Sequence, residues 1–118
     1  WGHAKDYVKA MWLMLQQKKP TDYVISSGKT HSIRDFVNKS AKYLGMNIVW
    51  KGSGINEIGY DKISNKKIIK INKEFYRPNE VNYLKGDSSK AKRILKWKPE
   101  YNLDRLIADM CDAALKKY

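Results

Sequence analysis

Two side chains three positions apart, Arg77 and Glu80, carry the types and spacing that phosphate and ribose chemistry would use. An arginine presents a planar fork of donors that suits a pair of phosphates. Pro78 fixes its own φ and biases Arg77 towards an extended backbone, which aims the fork. Glu80 is an acceptor that could take the two hydroxyls of a ribose. Tyr76-Arg77-Pro78-Asn79-Glu80 therefore has the makings of a grip for a nucleoside diphosphate. The competing interpretation is an exposed ion pair near a sheet edge, and RPxE recurs by chance in many chains. Residue pattern alone leaves both open.

Other chemistry is hard to find. Gly52-Ser53-Gly54 is followed by Glu57 where a dinucleotide fingerprint has its third glycine, and no helix pattern follows. There is no Walker A sequence, and no tyrosine has a lysine four residues on. His3 and His31 lack partners at metal-ligand spacing and read as ordinary polar residues. Cys111 falls on the apolar face of a helix without a cationic neighbour, which suits packing better than nucleophilic attack. Asp6, Asp35, Asp87 and Asp104 stand at or near helix starts, where the dipole favours negative charge. We therefore expect no catalytic, cofactor-binding or metal-ligating residue in this chain, and take Arg77 and Glu80 as its candidate substrate-binding pair.

The elements that must position this pair alternate between helix and strand. Residues 3–18 read as a helix, with Ala4, Val8, Met11, Trp12 and Leu15 at helical spacing and Pro20 beyond its end. Tyr7, Ala10, Leu13 and Met14 make it apolar on a second side too, so it should be covered on more than one face. Tyr23–Ser26 is expected to be a strand. Ser32 opens a helix whose stripe is Ile33, Phe36, Val37, Ala41 and Leu44, and Gly45 stops it. Residues 47–51 form a second strand, and 58–62 should pair with 67–71 as a hairpin across Ser64-Asn65-Lys66. Val81–Leu84 is a possible short strand after the candidate site. Gly86-Asp87-Ser88 introduces a helix to about Leu95, and Asn102 caps a last one carrying Leu103, Leu106, Ile107, Met110, Cys111 and Ala114. The alternation predicts an α/β (mixed α+β) layer in which helices pack on short strands of a partly parallel sheet.

The chain has 118 residues and 42% hydrophobic content, enough for one folded domain and too apolar for a disordered segment. No apolar run reaches the roughly 18 residues that span a bilayer, and we see no leader pattern. A single cysteine points to a reducing, cytoplasmic setting. Beginning at Trp1 and running almost directly into a helix, the chain is expected to be part of something longer. Its net charge of +12 raises a nucleic-acid-binding module as one alternative. The composition argues against it: twenty of the 24 basic residues are lysines spread along the whole chain, and only Arg34, Arg77, Arg93 and Arg105 are arginines.

Read in order, several segments resemble one family. They are Trp1-Gly2-His3-Ala4-Lys5-Asp6-Tyr7-Val8, Ala10-Met11-Trp12-Leu13-Met14-Leu15-Gln16, Val24-Ile25 with Gly28, and His31-Ser32-Ile33-Arg34-Asp35-Phe36-Val37. Val49-Trp50-Lys51-Gly52, Asn56-Glu57-Ile58-Gly59, Tyr76 to Val81, Gly86-Asp87 with Lys90-Ala91-Lys92, and Leu95 with Trp97-Lys98-Pro99 complete the set. This order is similar to the last third of the GDP-mannose 4,6-dehydratases, within the extended short-chain dehydrogenase/reductases. Asn79 and Asn82 depart from the residues usual there, and both leave Arg77 and Glu80 intact.

The resemblance implies a single domain over residues 1–118, the small C-terminal substrate-binding domain, with the Rossmann domain absent. It implies a parent lyase that converts GDP-D-mannose to GDP-4-keto-6-deoxy-D-mannose with NADP held by that N-terminal domain, the fragment alone being non-catalytic. Arg77 would then contact the diphosphate and Glu80 the guanosine ribose. The partners implied are GDP-mannose or GDP, the N-terminal domain packing on the first helix, and further copies in a homo-oligomer, with neither membrane nor nucleic acid. Another nucleotide-sugar dehydratase or an epimerase of the same superfamily is the nearer alternative.

Overall fold

The computed structural model describes residues 1–77, 79–81 and 83–117. Its helices are α1 (Ala4–Leu15), α2 (Ile33–Tyr43), α3 (Ser89–Ile94) and α4 (Leu103–Lys117). Its strands are β1 (Ile48–Lys51), β2 (Ile58–Asp61) and β3 (Lys67–Lys70), with single 3-10 turns at Gly54–Asn56 and Lys73–Phe75. Among the described residues no helix is long and apolar enough to cross a membrane. The chain divides into two compact units, Trp1–Ser32 with Tyr83–Tyr118, and Ile33–Asn82.

The first unit is organised around Trp97, only 2% exposed and packed with Ala10, Ala91 and Leu95. Leu13, Met14, Tyr23 and Ile25 close over this cluster. Its polar counterpart is Asp6, also buried, on the same face of α1 as Ala10 and Leu13. The Trp97 indole donates to the Asp6 carbonyl at 2.8 Å, and the Asp6 carboxylate accepts from the amides of Glu100 and Tyr101 at 3.0 and 3.1 Å. A buried carboxylate with two backbone donors is satisfied, and it locks the turn between α3 and α4 onto α1.

His3 caps α1 in an unusual way. Its Nδ1 accepts from the Lys5 amide at 3.1 Å, its Nε2 lies 2.8 Å from Asp109 on α4, and its ring stacks on Tyr101 at 3.9 Å. Because Nδ1 is an acceptor, Nε2 carries the proton and donates it to Asp109. That hydrogen bond is the main reason the Asp109 carboxyl sits below its usual range. Asn102 caps α4 as its sequence position implies, accepting from the Arg105 amide at 2.9 Å.

The expected strand at Tyr23–Ser26 is not present. That segment is tied to the stretch before α3 through hydroxyls instead: Ser26 donates to Gly86 O and Thr30 to Leu84 O, both at 2.8 Å. Lys90 adds a further tie, donating to Thr21 Oγ1 and Asp22 O at 2.8 Å each. The possible strand at 81–84 falls partly on Asn82, outside the described residues, and Val81, Tyr83 and Leu84 are not in a strand.

In the second unit β1, β2 and β3 form one sheet in that order, antiparallel throughout. This corrects the expected partly parallel sheet. A parallel pair needs a crossover of about a dozen residues or more, and the links from β1 to β2 and from β2 to β3 are shorter than that. The hairpin of β2 and β3 stands where the sequence places it. Gly59 is required by close approach, since an added Cβ would lie 2.9 Å from Ile48 Cγ2 and 3.3 Å from the Trp50 ring. Arg34 on α2 lies over that ring, its guanidinium 4.5 Å from the centroid, and pairs with Glu57. The Trp50 indole donates to Asn38 at 2.9 Å, so α2 is pinned to β1 by this bond and by the Arg34 guanidinium over the same ring.

Asp61 ends β2 and is buried. Its carboxylate accepts from the Ser64 hydroxyl and amide at 2.7 and 2.9 Å and from the Asn47 amide at 3.2 Å. Those bonds, the Ser64 hydroxyl first, lower its pKa to about 2. A carboxyl depressed in the folded state stabilises the fold above its ordinary pKa and loses that contribution as pH falls through the folded value. The melting temperature of the chain should therefore drop between about pH 4 and pH 2, and Asp61→Asn should drop less over that window. Thermal melts followed by circular dichroism would check this; identical pH profiles would contradict it.

Candidate functional site

The candidate pair sits on the segment that leaves β3. Asn72 caps the 3-10 turn Lys73–Phe75 by accepting from the Glu74 amide at 3.1 Å. Tyr76 donates its amide to Lys73 O at 3.3 Å and then turns extended, with φ −71° and ψ 123°. The capped turn therefore gives way to extended backbone just before Arg77. Pro78, which the sequence uses to aim the arginine, lies outside the described residues.

The structure brings Arg77 and Glu80 together. Arg77 Nη1 lies 3.7 Å from Glu80 Oε2, and the two side chains are 79% and 62% exposed. At that distance the contact is an ion pair without a hydrogen bond. Both side chains are open to solvent, so a ligand can reach the guanidinium fork and the carboxylate together. Phe75, Tyr76 and Val81 on either side are exposed as well. This geometry suits a ligand that offers anionic oxygens to Arg77 and hydroxyl donors to Glu80 a few ångströms away.

Lys9–Glu100 and Arg34–Glu57 are also cation–carboxylate pairs, but each ties distant stretches of the chain together. A half-open cavity in the first unit is lined by Trp1, Lys29, His31, Glu100 and Tyr101 among others, and it contains neither member of the candidate pair. His3, read from sequence as an ordinary polar residue, is a buried structural cap. No group of three His, Cys, Asp or Glu side chains is set to hold a metal among the described residues. The expected dipole role of Asp6 is the smaller part of what it does, because its carboxylate binds two distant amides. An acid on the same face as Ala10 and Leu13 is the signal that could have revealed this.

A dinucleotide cofactor does not fit the glycine-rich turn. Gly52 and Gly54 have φ of +88° and +56°, and an added Cβ at Gly52 would lie 2.7 Å from Asn56 O. These glycines serve a tight turn that runs into β2 rather than into a helix N-terminus that could meet a pyrophosphate.

Comparison with known proteins agrees across the chain. A family model described as GDP-mannose 4,6 dehydratase matches residues 1–110. The human GDP-mannose 4,6 dehydratase is 50% identical over 113 residues, 96% of this chain and 30% of its own length. The Drosophila melanogaster protein of the same name is 46% identical over 116 residues, 98% of this chain and 29% of its own. The GDP-mannose 4,6-dehydratase of Vibrio cholerae is 42% identical over 126 aligned positions, 98% of this chain and 34% of its own. The chain thus spans about 30% of the length of the curated relatives it matches.

Proposed function

Because the chain belongs to the GDP-mannose 4,6 dehydratase family, we propose that it is the GDP-sugar-binding domain of such an enzyme. The parent reaction would be conversion of GDP-D-mannose to GDP-4-keto-6-deoxy-D-mannose, a lyase reaction in the cytoplasm. The observation that supports this best is the exposed Arg77–Glu80 pair, held at 3.7 Å on the segment after β3. Arg77 neutralises the diphosphate and Glu80 accepts from the ribose hydroxyls. Together they fix the nucleotide and so present the hexose at a constant position. The chain's own role is binding and orientation.

The reading extends to partners. NADP would be held by residues outside this chain, in an N-terminal Rossmann domain, since the glycine turn here does not suit it. The exposed side of α1, with Val8, Met11, Trp12 and Leu15, is consistent with contact to such a domain. A homo-oligomeric parent is part of the same proposal.

Calorimetric titration of the chain with GDP, UDP and dTDP tests the substrate class. GDP should bind most tightly, and its binding should fall when Arg77 is changed to alanine. Equal affinity for all three would move the chain to another nucleotide-sugar enzyme. Indifference to all three, with duplex DNA binding that falls steeply with salt, would make it a basic module instead.

A further inference from the structure

We propose that Glu80 is a specificity residue that makes the site discriminate against polyphosphates lacking a ribose, by occupying Arg77 until vicinal hydroxyls displace it. This rests on the assignment of Arg77 to the diphosphate and Glu80 to the ribose. The observation behind it is that the two candidate ligand-binding groups are paired with each other, at 3.7 Å and three residues apart.

The physical consequence follows from charge. An incoming phosphate needs the guanidinium fork, so it competes with Glu80 for the charge of Arg77. It also arrives beside a carboxylate of its own sign, which costs free energy at short range. Inorganic pyrophosphate has nothing to offer the released carboxylate. A nucleoside diphosphate does, because its two ribose hydroxyls donate to the same oxygens and offset both terms. The pair is well suited to exchange of this kind. It is too long for a hydrogen bond, and exposed ion pairs of this type are weakly held, so the right ligand opens it readily. A tighter, buried pair would have excluded every anion alike.

Removing the charge of Glu80 should therefore act in opposite directions on two ligand classes. The test titrates the full 118-residue chain, as wild type and as Glu80→Gln, Glu74→Gln and Arg77→Ala, with inorganic pyrophosphate, GDP and 2′,3′-dideoxy-GDP. Glu80→Gln should bind pyrophosphate and the dideoxy nucleotide roughly two- to fivefold more tightly, the range expected for release of an exposed pair. It should bind GDP several-fold more weakly, so that the preference for GDP over its dideoxy analogue collapses.

Glu74→Gln removes one exposed charge from the same segment without touching the pair, and should shift all three ligands alike by less than about twofold. The proposal is overturned if Glu80→Gln binds pyrophosphate no more tightly than wild type, or if Glu74→Gln gains as much. Failure of the site assignment itself looks different. Pyrophosphate and GDP binding that survive Arg77→Ala unchanged would overturn the site, whatever Glu80→Gln does.

Discussion

Trp97→Ala is expected to destabilise the first unit by about 3–5 kcal/mol, the range for emptying a large buried aromatic site. The side chain is 2% exposed and is the largest one fully buried among the described residues. Its loss leaves Ala10, Ala91 and Leu95 facing a void that small neighbours cannot fill by relaxing. It also removes the indole donor from Asp6 O, a further contribution of about 1 kcal/mol. Domains of this size have about 5–15 kcal/mol in total, so the variant should stand near the edge of folding. Trp97→Phe separates the two parts: it retains most of the volume, loses the hydrogen bond, and should cost considerably less. Urea unfolding followed by circular dichroism measures both variants. A Trp97→Ala midpoint equal to that of wild type would show that the cluster is not the packing centre of the unit.

Helix starts, the hairpin and the Asn102 cap were legible because each rests on local chemistry that neighbours in sequence supply. What could not be read there depends on partners far along the chain. Asp6 looks like a first-turn acid until Glu100 and Tyr101 arrive with their amides. His3 looks like an ordinary polar residue at a helix start until Asp109 and Tyr101 enclose it. Tyr23–Ser26 has strand composition, but the described contacts with residues 84–86 run through the hydroxyls of Ser26 and Thr30, and composition is silent about that. On α1 the apolar spacing was visible and its direction was not. Ala10, Leu13 and Met14 turn towards the Trp97 cluster, and Val8, Met11, Trp12 and Leu15 turn outwards. Two apolar faces on one helix cannot be ranked from periodicity alone. The candidate site was legible as a pair of residue types. Its self-pairing was open from sequence, because ion pair and ligand grip demand the same two side chains.

Arg77→Ala should weaken GDP binding by about 10- to 100-fold, the span expected for losing a charge-assisted contact to phosphate. Lys73→Ala, three residues short of Tyr76 on the capped turn, should change it by no more than about twofold, since a dispersed surface charge acts only through the screened field. The comparison is clean on the side of folding. Arg77 is 79% exposed and contacts Glu80 at 3.7 Å, so its removal should leave stability within about 0.5 kcal/mol of wild type. Arg77→Lys tells charge from geometry: it retains the cation, gives up the fork, and should fall between wild type and alanine. Raising salt should erode the Lys73 effect first and the Arg77 effect last, because a contact ion pair is screened less than a distant charge. Equal losses for Arg77→Ala and Lys73→Ala would mean that GDP responds only to the net charge of +12. The exposed pair would then be an ordinary surface ion pair, and the binding function assigned to it would be wrong.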